Sequence, residues 1–350
     1  MWENRGRGPP VGGRIGGAEE LTAVESGQAS PTRVAVVGAG NVGATFAYTL
    51  LLSGLAAEIV LLDANEARAE GEAMDLNHAV PFAHPTRIWA AGEDYGECAG
   101  AAVTVITAGA AQRPGETRLD LVRRNAAIFA EIVPRVARQN PRGIILIATN
   151  PVDVLTYHSC QLAGLPPERV IGSGTVLDTA RFRYLLSQHY GVDPRSVHAY
   201  IIGEHGDSEV PVWSLANIAG MRLADYRAAQ ELPDDEAALE GIYRQTRDAA
   251  YEIISRKGAT YYAVAAGLLR IVEAILRDQR TVLSVSSLIG DYYGIGDVCL
   301  SLPTVIGRGG VERVLRLPLS EEEVAGLRRS AEVLRASYAE IGPGAGGAGG

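Results

Sequence analysis

The chain is poor in cysteine and has no long apolar run. Its three cysteines, Cys98, Cys160 and Cys299, are odd in number and lie far apart, which argues against a disulfide framework and a structural zinc site. No run approaches the roughly eighteen apolar residues of a membrane span, and no apolar stretch follows the arginines near the N-terminus. We therefore predict neither a membrane helix nor a secretion signal.

The chain also lacks an excess of basic charge. Its 41 acidic residues outnumber its 32 lysines and arginines, which gives a net charge of −9. It therefore has no electrostatic footprint for nucleic acid, and a phosphate-bearing ligand needs a local basic site. Hydrophobic residues make up 47% and charged residues 21%, as in ordinary folded proteins. At 350 residues, we expect two lobes or one large α/β domain.

Short apolar runs alternate with amphipathic segments from Arg33 onward. Such runs are typical of parallel strands that are buried on both faces. Their alternation with helical segments predicts βαβ units in an α/β fold with a Rossmann-type doubly wound sheet. The clearest runs are Val34 to Val37, Ile59 to Leu62, Val103 to Thr107 and Ile144 to Ala148.

Beyond about Gly164 the pattern changes to long helical stretches and then to a β-rich region, which predicts a second, mixed α+β domain. Ser320 and Glu323 have capping-box spacing at the start of the last stretch. The helical stretches are Asp178 to Tyr190, Asp235 to Ala274 and Glu321 to Glu340, and the β-rich region is Thr281 to Leu317. We predict a disordered extension at 1–31, domains at 32–172 and 173–341, and a flexible tail at 342–350.

A G-x-G-x-x-G motif follows the first apolar run directly and precedes a helical pattern. Gly38 permits a tight turn, Gly40 lets the backbone approach a pyrophosphate, and Gly43 allows the helix to pack closely on the strand. Asn41 and Val42 then place N–H groups at the helix amino end, where they bind phosphate. Alone the motif is weak, and a plain strand-to-helix turn is the alternative; the strand and helix around it favour a dinucleotide site.

The second apolar run ends in Asp63, about twenty residues beyond the glycines. A carboxylate in this place accepts hydrogen bonds from the adenosine ribose hydroxyls and repels a 2′-phosphate. The nearest arginine is Arg68, one helical turn further on. The pattern therefore favours NAD over NADP, and a helix N-cap is the simpler interpretation of Asp63 alone.

Four segments carry groups suited to chemistry on a small acid. The segments are AGAAQRPGETRLDLVRRN from Ala108 to Asn125, TNPVDVLT from Thr149 to Thr156, VLDTARFRYL from Val176 to Leu185 and GEHGDSEVPVW from Gly203 to Trp213. Together they resemble the L-lactate and malate dehydrogenase family over about nine tenths of the chain, in particular its bacterial L-lactate dehydrogenases.

The resemblance implies reversible hydride transfer between NADH and pyruvate, giving (S)-lactate. It implies that His205 is the proton donor and acceptor, because imidazole titrates near neutral pH, and that Asp178 orients it. Arg181, three residues after Asp178 on a helix, suits a bidentate grip on the substrate carboxylate. The alternatives are a histidine in a surface turn and an ordinary intrahelical ion pair.

Further residues follow from the same resemblance. Arg118 polarises the substrate carbonyl when its loop closes, and Asn150, before a cis Asn150–Pro151 bond, adds a hydrogen bond near the carbonyl or nicotinamide. Gln112 reads the far end of the substrate, and Thr260 lies near the methyl group of pyruvate. A loop shifted by one residue puts Arg113 in the place of Gln112 and makes malate dehydrogenase the alternative.

The resemblance also implies regulation and assembly. Arg183 and His198 match residues that bind the activator fructose 1,6-bisphosphate between subunits of a homotetramer in bacterial relatives. A solvated arginine and a strand histidine are the alternatives. The relatives are cytoplasmic enzymes of glycolysis and fermentation.

A dinucleotide-binding protein without turnover is the alternative from another class. It has no use for Asp178, Arg181 and His205 together, whereas a dehydrogenase needs all three. A glycosidase that uses NAD needs metal ligands, and the sequence shows no such cluster. The sequence thus predicts a dehydrogenase without a metal.

Overall fold

The computed structural model describes residues 32–110, 118–234 and 236–341. The predicted N-terminal extension at 1–31 and the tail at 342–350 lie outside the described residues, and so does the segment 111–117. No helix among the described residues is long and apolar enough to cross a membrane.

A parallel sheet forms the first half of the described chain. Its strands have the order β6-β5-β4-β1-β2-β3, which is that of a doubly wound Rossmann sheet. Strands β2, β4 and β5 are buried along their whole length, as predicted for apolar runs covered on both faces. The strands are β1 (Arg33–Val37), β2 (Glu58–Leu62), β3 (Arg87–Ala90), β4 (Val103–Ile106), β5 (Ile144–Ile147) and β6 (Val170–Gly172).

The β-rich region predicted near the C-terminus joins the same sheet. Its first strand lies antiparallel to β6 through the pair Ser286 and Gly172, so that one nine-stranded sheet runs through both halves of the described chain. The added strands are β12 (Thr281–Ile289), β13 (Val298–Gly307) and β14 (Gly310–Val314). Two small sheets contain β7 (Val197–His198), β8 (Ile201–Ile202), β9 (Val210–Pro211), β10 (Asn217–Ile218) and β11 (Met221–Arg222).

Helices cover both faces of the large sheet and bury its apolar side chains. Phe46 and Leu50 of α1 pack on one face, and Phe129 and Val133 of α3 pack on the other. The helices are α1 (Asn41–Ser53), α2 (Glu66–Ala79), α3 (Arg118–Gln139), α4 (Val152–Ala163), α5 (Val176–Tyr190), α6 (Leu223–Ala229), α7 (Glu236–Lys257), α8 (Tyr262–Leu276) and α9 (Glu321–Ala339). The mixed α/β fold is the predicted one.

Two helical predictions are refined by the structure. The stretch from Asp235 to Ala274 is divided into α7 and α8, because Gly258 has φ +84° and ends the first helix. The capping box of α9 is present as predicted: the Ser320 hydroxyl accepts a hydrogen bond from the Glu323 amide, and the Glu323 carboxylate accepts one from the Ser320 amide.

The strand order changes direction between β1 and β4, which are parallel neighbours in the sheet: β2 and β3 follow on one side, and β4, β5 and β6 follow on the other. Ligands of doubly wound sheets bind at this point, beyond the carboxyl ends of the strands. Gly38 follows β1 and Thr107 follows β4, and the Thr107 hydroxyl donates to the Gly38 carbonyl oxygen at 2.7 Å. The fold therefore places the glycine motif at the expected binding edge.

Candidate active site

The glycine motif has the geometry that its spacing predicts. Gly38 has φ +105°, which favours glycine, and its amide donates to the Leu62 carbonyl at 2.7 Å. A Cβ on Gly43 would collide with the Gly38 carbonyl oxygen, so helix α1 packs against the strand in a way that only glycine permits. A Cβ on Gly40 would meet open space, and Gly40 precedes Asn41 and Val42 at the amino end of α1.

Asp63 lies at the same edge and holds the glycine loop. Its carboxylate accepts hydrogen bonds from the Ala39 amide at 2.7 Å and the Asn65 amide at 2.9 Å. The N-cap interpretation of Asp63 is wrong, because α2 begins at Glu66 and is capped by the Asn65 side chain.

A cleft opens beside these residues. Gly38, Gly40 and Asp63 line it, and Arg68 lies at its wall at the limit of ion-pair distance from Glu72, 4.0 Å. Open space at Gly40, helix N–H groups and an acid at the end of β2 fit an adenine dinucleotide.

Asp178, Arg181 and His205 form one hydrogen-bonded cluster. The His205 Nδ1 atom lies 2.5 Å from one oxygen of Asp178, and the Arg181 Nη1 atom donates to the other oxygen at 2.9 Å. The Asp178 side chain is only 4% exposed, whereas 22% of His205 and 13% of Arg181 remain accessible. The intrahelical pair between Asp178 and Arg181 thus exists, and the same carboxylate also orients the histidine.

Three of the predicted substrate residues meet in a second cleft. Asn150, Arg181, His205 and Thr260 line it. Thr260 reaches it from the break between α7 and α8. The Asn150–Pro151 bond is cis, as predicted, and the Asn150 carbonyl accepts a hydrogen bond from the Asn125 amide group at 2.9 Å.

The electrostatics of the cluster favour the charged forms of Asp178 and His205. Burial alone lowers the pKa of His205, but the charge and hydrogen bond of Asp178 outweigh it and raise this pKa to about 9. Burial also opposes ionisation of Asp178, yet His205 and Arg181 hold its pKa below the usual value. The cleft therefore contains a protonated imidazole at neutral pH.

Asp153, at the second residue of α4, is a site residue that the sequence reasoning missed. It is 2% exposed, and its Oδ2 atom accepts a hydrogen bond from the His205 amide at 2.7 Å. Burial raises its pKa to about 6. An acidic residue inside the apolar stretch Pro-Val-Asp-Val-Leu was the signal that could have found it.

Glu209, four residues after His205, was missed as well. It is 5% exposed, and its buried Oε1 atom has no hydrogen-bond partner among the described residues. Burial and the charge of Asp178 raise its pKa to about 8. The acid directly before the apolar residues Val-Pro-Val-Trp was the available signal.

Three predicted positions are not tested by this geometry. Gln112 and its alternative Arg113 lie outside the described residues. Arg118 is the first residue of α3, and its side chain is outside the described part of the structure. Among the residues described, no group of three or more His, Cys, Asp or Glu side chains is arranged to hold a metal ion.

The residues proposed for regulation lie on α5 and β7. Arg183 donates to the Ala199 carbonyl at 2.8 Å and stacks over Tyr200 at 5.0 Å, and burial lowers its pKa. His198 is exposed on β7, next to Ala199. The Arg183 guanidinium group is therefore bonded to the backbone of the residue that follows His198.

Two family models match the chain one after the other. The model described as "lactate/malate dehydrogenase, NAD binding domain" matches residues 32–172. The model described as "lactate/malate dehydrogenase, alpha/beta C-terminal domain" matches residues 175–342. The chain belongs to the lactate/malate dehydrogenase family, and its cofactor is NAD.

Several similar proteins in this family are named L-lactate dehydrogenase. The one from Acetivibrio thermocellus is 54% identical over 303 residues, 87% of this chain and 95% of its own length. The one from Synechococcus sp. is 56% identical over 301 residues, 86% of this chain and 96% of its own. The solved minor L-lactate dehydrogenase of Enterococcus mundtii is 40% identical, with a TM-score of 0.86 over 89% of this chain and 99% of its own.

Proposed function

We propose that this protein is an NAD-dependent L-lactate dehydrogenase, which interconverts pyruvate and (S)-lactate. The observation that carries the proposal is the cleft in which His205, bonded to Asp178, lies with Arg181, Asn150 and Thr260. Reduction of a 2-oxo acid requires a proton donor, a cation that binds the carboxylate and a pocket wall that fits a small substrate. The similar proteins named L-lactate dehydrogenase support the same reaction.

The cofactor site and the catalytic cluster have separate tasks. NADH supplies the hydride when it is bound, held by the residues of the glycine loop and by Asn150. His205 gives its proton to the new hydroxyl oxygen during reduction and takes it back during oxidation, while Asp178 fixes the ring. Arg181 binds the substrate carboxylate with its planar fork. The proposed cofactor residues are Gly38, Gly40, Asn41, Val42, Gly43, Asp63 and Asn150.

The roles of Arg118, Gln112 and Thr260 rest on the family resemblance. We assign Arg118 to the polarisation of the substrate carbonyl and Gln112 to the far end of the substrate. Thr260, which lines the cleft, is assigned to the methyl group of pyruvate. A neutral amide at Gln112 tolerates this methyl group, whereas an arginine there would be an uncompensated charge.

The substrate assignment is tested by NADH oxidation with pyruvate and, separately, with oxaloacetate. We expect kcat/KM to favour pyruvate by about a hundredfold or more, which corresponds to about 3 kcal/mol for a misplaced charge. Preference for oxaloacetate would mean that Arg113 takes the place of Gln112 and that the protein is a malate dehydrogenase. No turnover with either acid would leave a dinucleotide-binding protein.

The raised pKa of His205 predicts the pH dependence of the reaction. Below a pH of about 9 the imidazole is protonated, as reduction requires. We therefore expect kcat/KM for pyruvate reduction to fall as the pH rises through this value, and that for lactate oxidation to rise over the same range. Asp178→Asn, measured in parallel, should shift both transitions to lower pH. Transitions that stay in place would mean that Asp178 does not set the titration.

Assembly and regulation form a further part of the proposal. Phe82 is 90% exposed and Met74 is 62% exposed, as expected of side chains that a second copy covers in a homotetramer.

We assign Arg183 and His198 to binding of fructose 1,6-bisphosphate between subunits. Adding the bisphosphate to the pyruvate assay should lower the half-saturating pyruvate concentration, and no change at any pH or salt concentration counts against this site.

The remaining proposals concern the compartment and metabolic role of the enzyme and its domain boundaries. We propose a cytoplasmic enzyme of glycolysis and fermentation. We also propose an NAD-binding domain at 32–172 and a substrate domain at 173–341. The two family models divide the chain at nearly the same position, which supports this boundary.

A further inference from the structure

Glu209 is a buried acid beside the catalytic cluster that the reaction described so far does not use. It precedes β9, and its amide donates to the Gly206 carbonyl at 3.1 Å. Its carbonyl accepts a hydrogen bond from the Tyr243 hydroxyl of α7 at 2.8 Å. The backbone is thus fixed on both sides, while the carboxyl group lies in the interior, where its Oε1 atom has no hydrogen-bond partner in the part of the chain that the structure describes.

Charged groups of three elements act electrostatically on this buried carboxyl group. They are Asp178 and Arg181 of α5, His205 of its own loop, and Arg247 of α7. The Tyr243 hydroxyl of α7 also interacts with it. Burial and the neighbouring carboxylate of Asp178 disfavour its ionised form more than the three cations favour it, so that Glu209 is neutral below a pH of about 8.

The charge of Glu209 matters to the substrate because the cluster binds an anion. Arg181 and protonated His205 supply the positive charge that attracts the substrate carboxylate, and the buried carboxylates of Asp178 and Asp153 already offset part of it. An ionised Glu209 would offset more of this charge before the substrate arrives. A neutral Glu209 leaves it available.

We propose that Glu209 is a positioning residue whose carboxyl group must be protonated for the oxo acid to bind productively, so that binding is coupled to uptake of a second proton besides that of His205. This inference rests on the proposed function. The proton is held on the Glu209 carboxyl group and does not enter the substrate. Glu209 therefore acts through Arg181 and His205, by setting the charge around them.

The first test measures how many protons the unaltered enzyme takes up when it binds a pyruvate analogue. Oxamate, the amide analogue of pyruvate, is titrated into the enzyme–NADH complex by calorimetry at a pH of roughly 9.5, in buffers of different ionisation enthalpy. We expect clearly more than one proton to be taken up for each oxamate bound. Uptake of one proton or fewer overturns the proposal without the need for any variant.

The second test assigns the extra proton to Glu209. In Glu209→Gln, which mimics the neutral acid, uptake should fall to one proton or fewer, and the slope of log kcat/KM against pH above about 9 should decrease from nearly two to one. Glu240→Gln, which removes an exposed carboxylate of α7 that is 58% accessible, should behave like the unaltered enzyme. Glu209→Ser serves if the glutamine variant does not fold.

The outcomes separate this inference from the proposed function. A second proton that persists in Glu209→Gln belongs to another group and overturns the role of Glu209. If the unaltered enzyme oxidises NADH with pyruvate but takes up a single proton, the inference fails and the proposed function stands. If it neither turns over pyruvate nor binds oxamate, the proposed function itself fails.

Discussion

His205→Gln is expected to lower kcat/KM for pyruvate reduction by about a thousandfold, within the range that a general acid contributes. The glutamine side chain fills similar space and donates hydrogen bonds, but it cannot deliver a proton to the developing hydroxyl. Because the glycine loop and Asp63 lie in a different cleft, NADH binding should change by less than about twofold. Steady-state kinetics and NADH fluorescence titration measure the two effects separately.

His189→Gln is the matched control for this change. His189 is exposed near the end of α5, outside the cleft that contains His205. Its replacement should leave kcat/KM within about twofold of the unaltered enzyme. If His205→Gln retained more than a tenth of the activity, another group would be the acid.

Arg181→Gln is the second large effect. It removes the charged fork that faces the substrate carboxylate and leaves the buried Asp178 with one cation fewer. We expect kcat/KM to fall by about a thousandfold, or about 4 kcal/mol, mainly through a higher KM. Arg181→Lys keeps the charge without the planar geometry, so its kcat/KM should lie between those of the unaltered enzyme and Arg181→Gln.

Control variants distinguish substrate binding by Arg181 from a role only as the helix partner of Asp178. Arg256→Gln removes an arginine of α7 that is 75% exposed, and it should leave the kinetics nearly unchanged. The Arg181 variants should keep the fall in activity with rising pH, because Asp178 still orients His205. A large loss of kcat with an unchanged KM would show that Arg181 serves only as the helix partner of Asp178.

The strands were predictable because a parallel strand that is covered on both faces must be apolar along its whole length. The predicted run from Val34 to Val37 differs from β1 by one residue. The division of the long helical stretch was not predictable by the same logic. Residues on both sides of Gly258 have helical patterns, and only its positive φ reveals the break that brings Thr260 to the cleft.

The site residues that belong to a recognisable sequence motif could be predicted. Asp178, Arg181 and His205 were expected together and are found together. Asp153 and Glu209 were missed because burial depends on partners that are distant in sequence. The Ser301 hydroxyl, which is 148 positions further along the chain, lies 3.5 Å from the Asp153 carboxylate. Tyr243 of α7, which donates a hydrogen bond to the Glu209 carbonyl, is 34 positions further along the chain.

The large sheet and helix α7 differ in how firmly they are held. A continuous ladder of hydrogen bonds joins nine strands, whereas α7 buries only Ile242 and Thr246 over its 22 residues. Helix α7 is therefore held mainly by its packing against α5, whereas the sheet is held by its ladder of hydrogen bonds. Tyr243 and Arg247 belong to α7, so the position of this helix sets part of the surroundings of Glu209. The packing of one half-exposed helix thus helps to set the acidity of a buried group beside it.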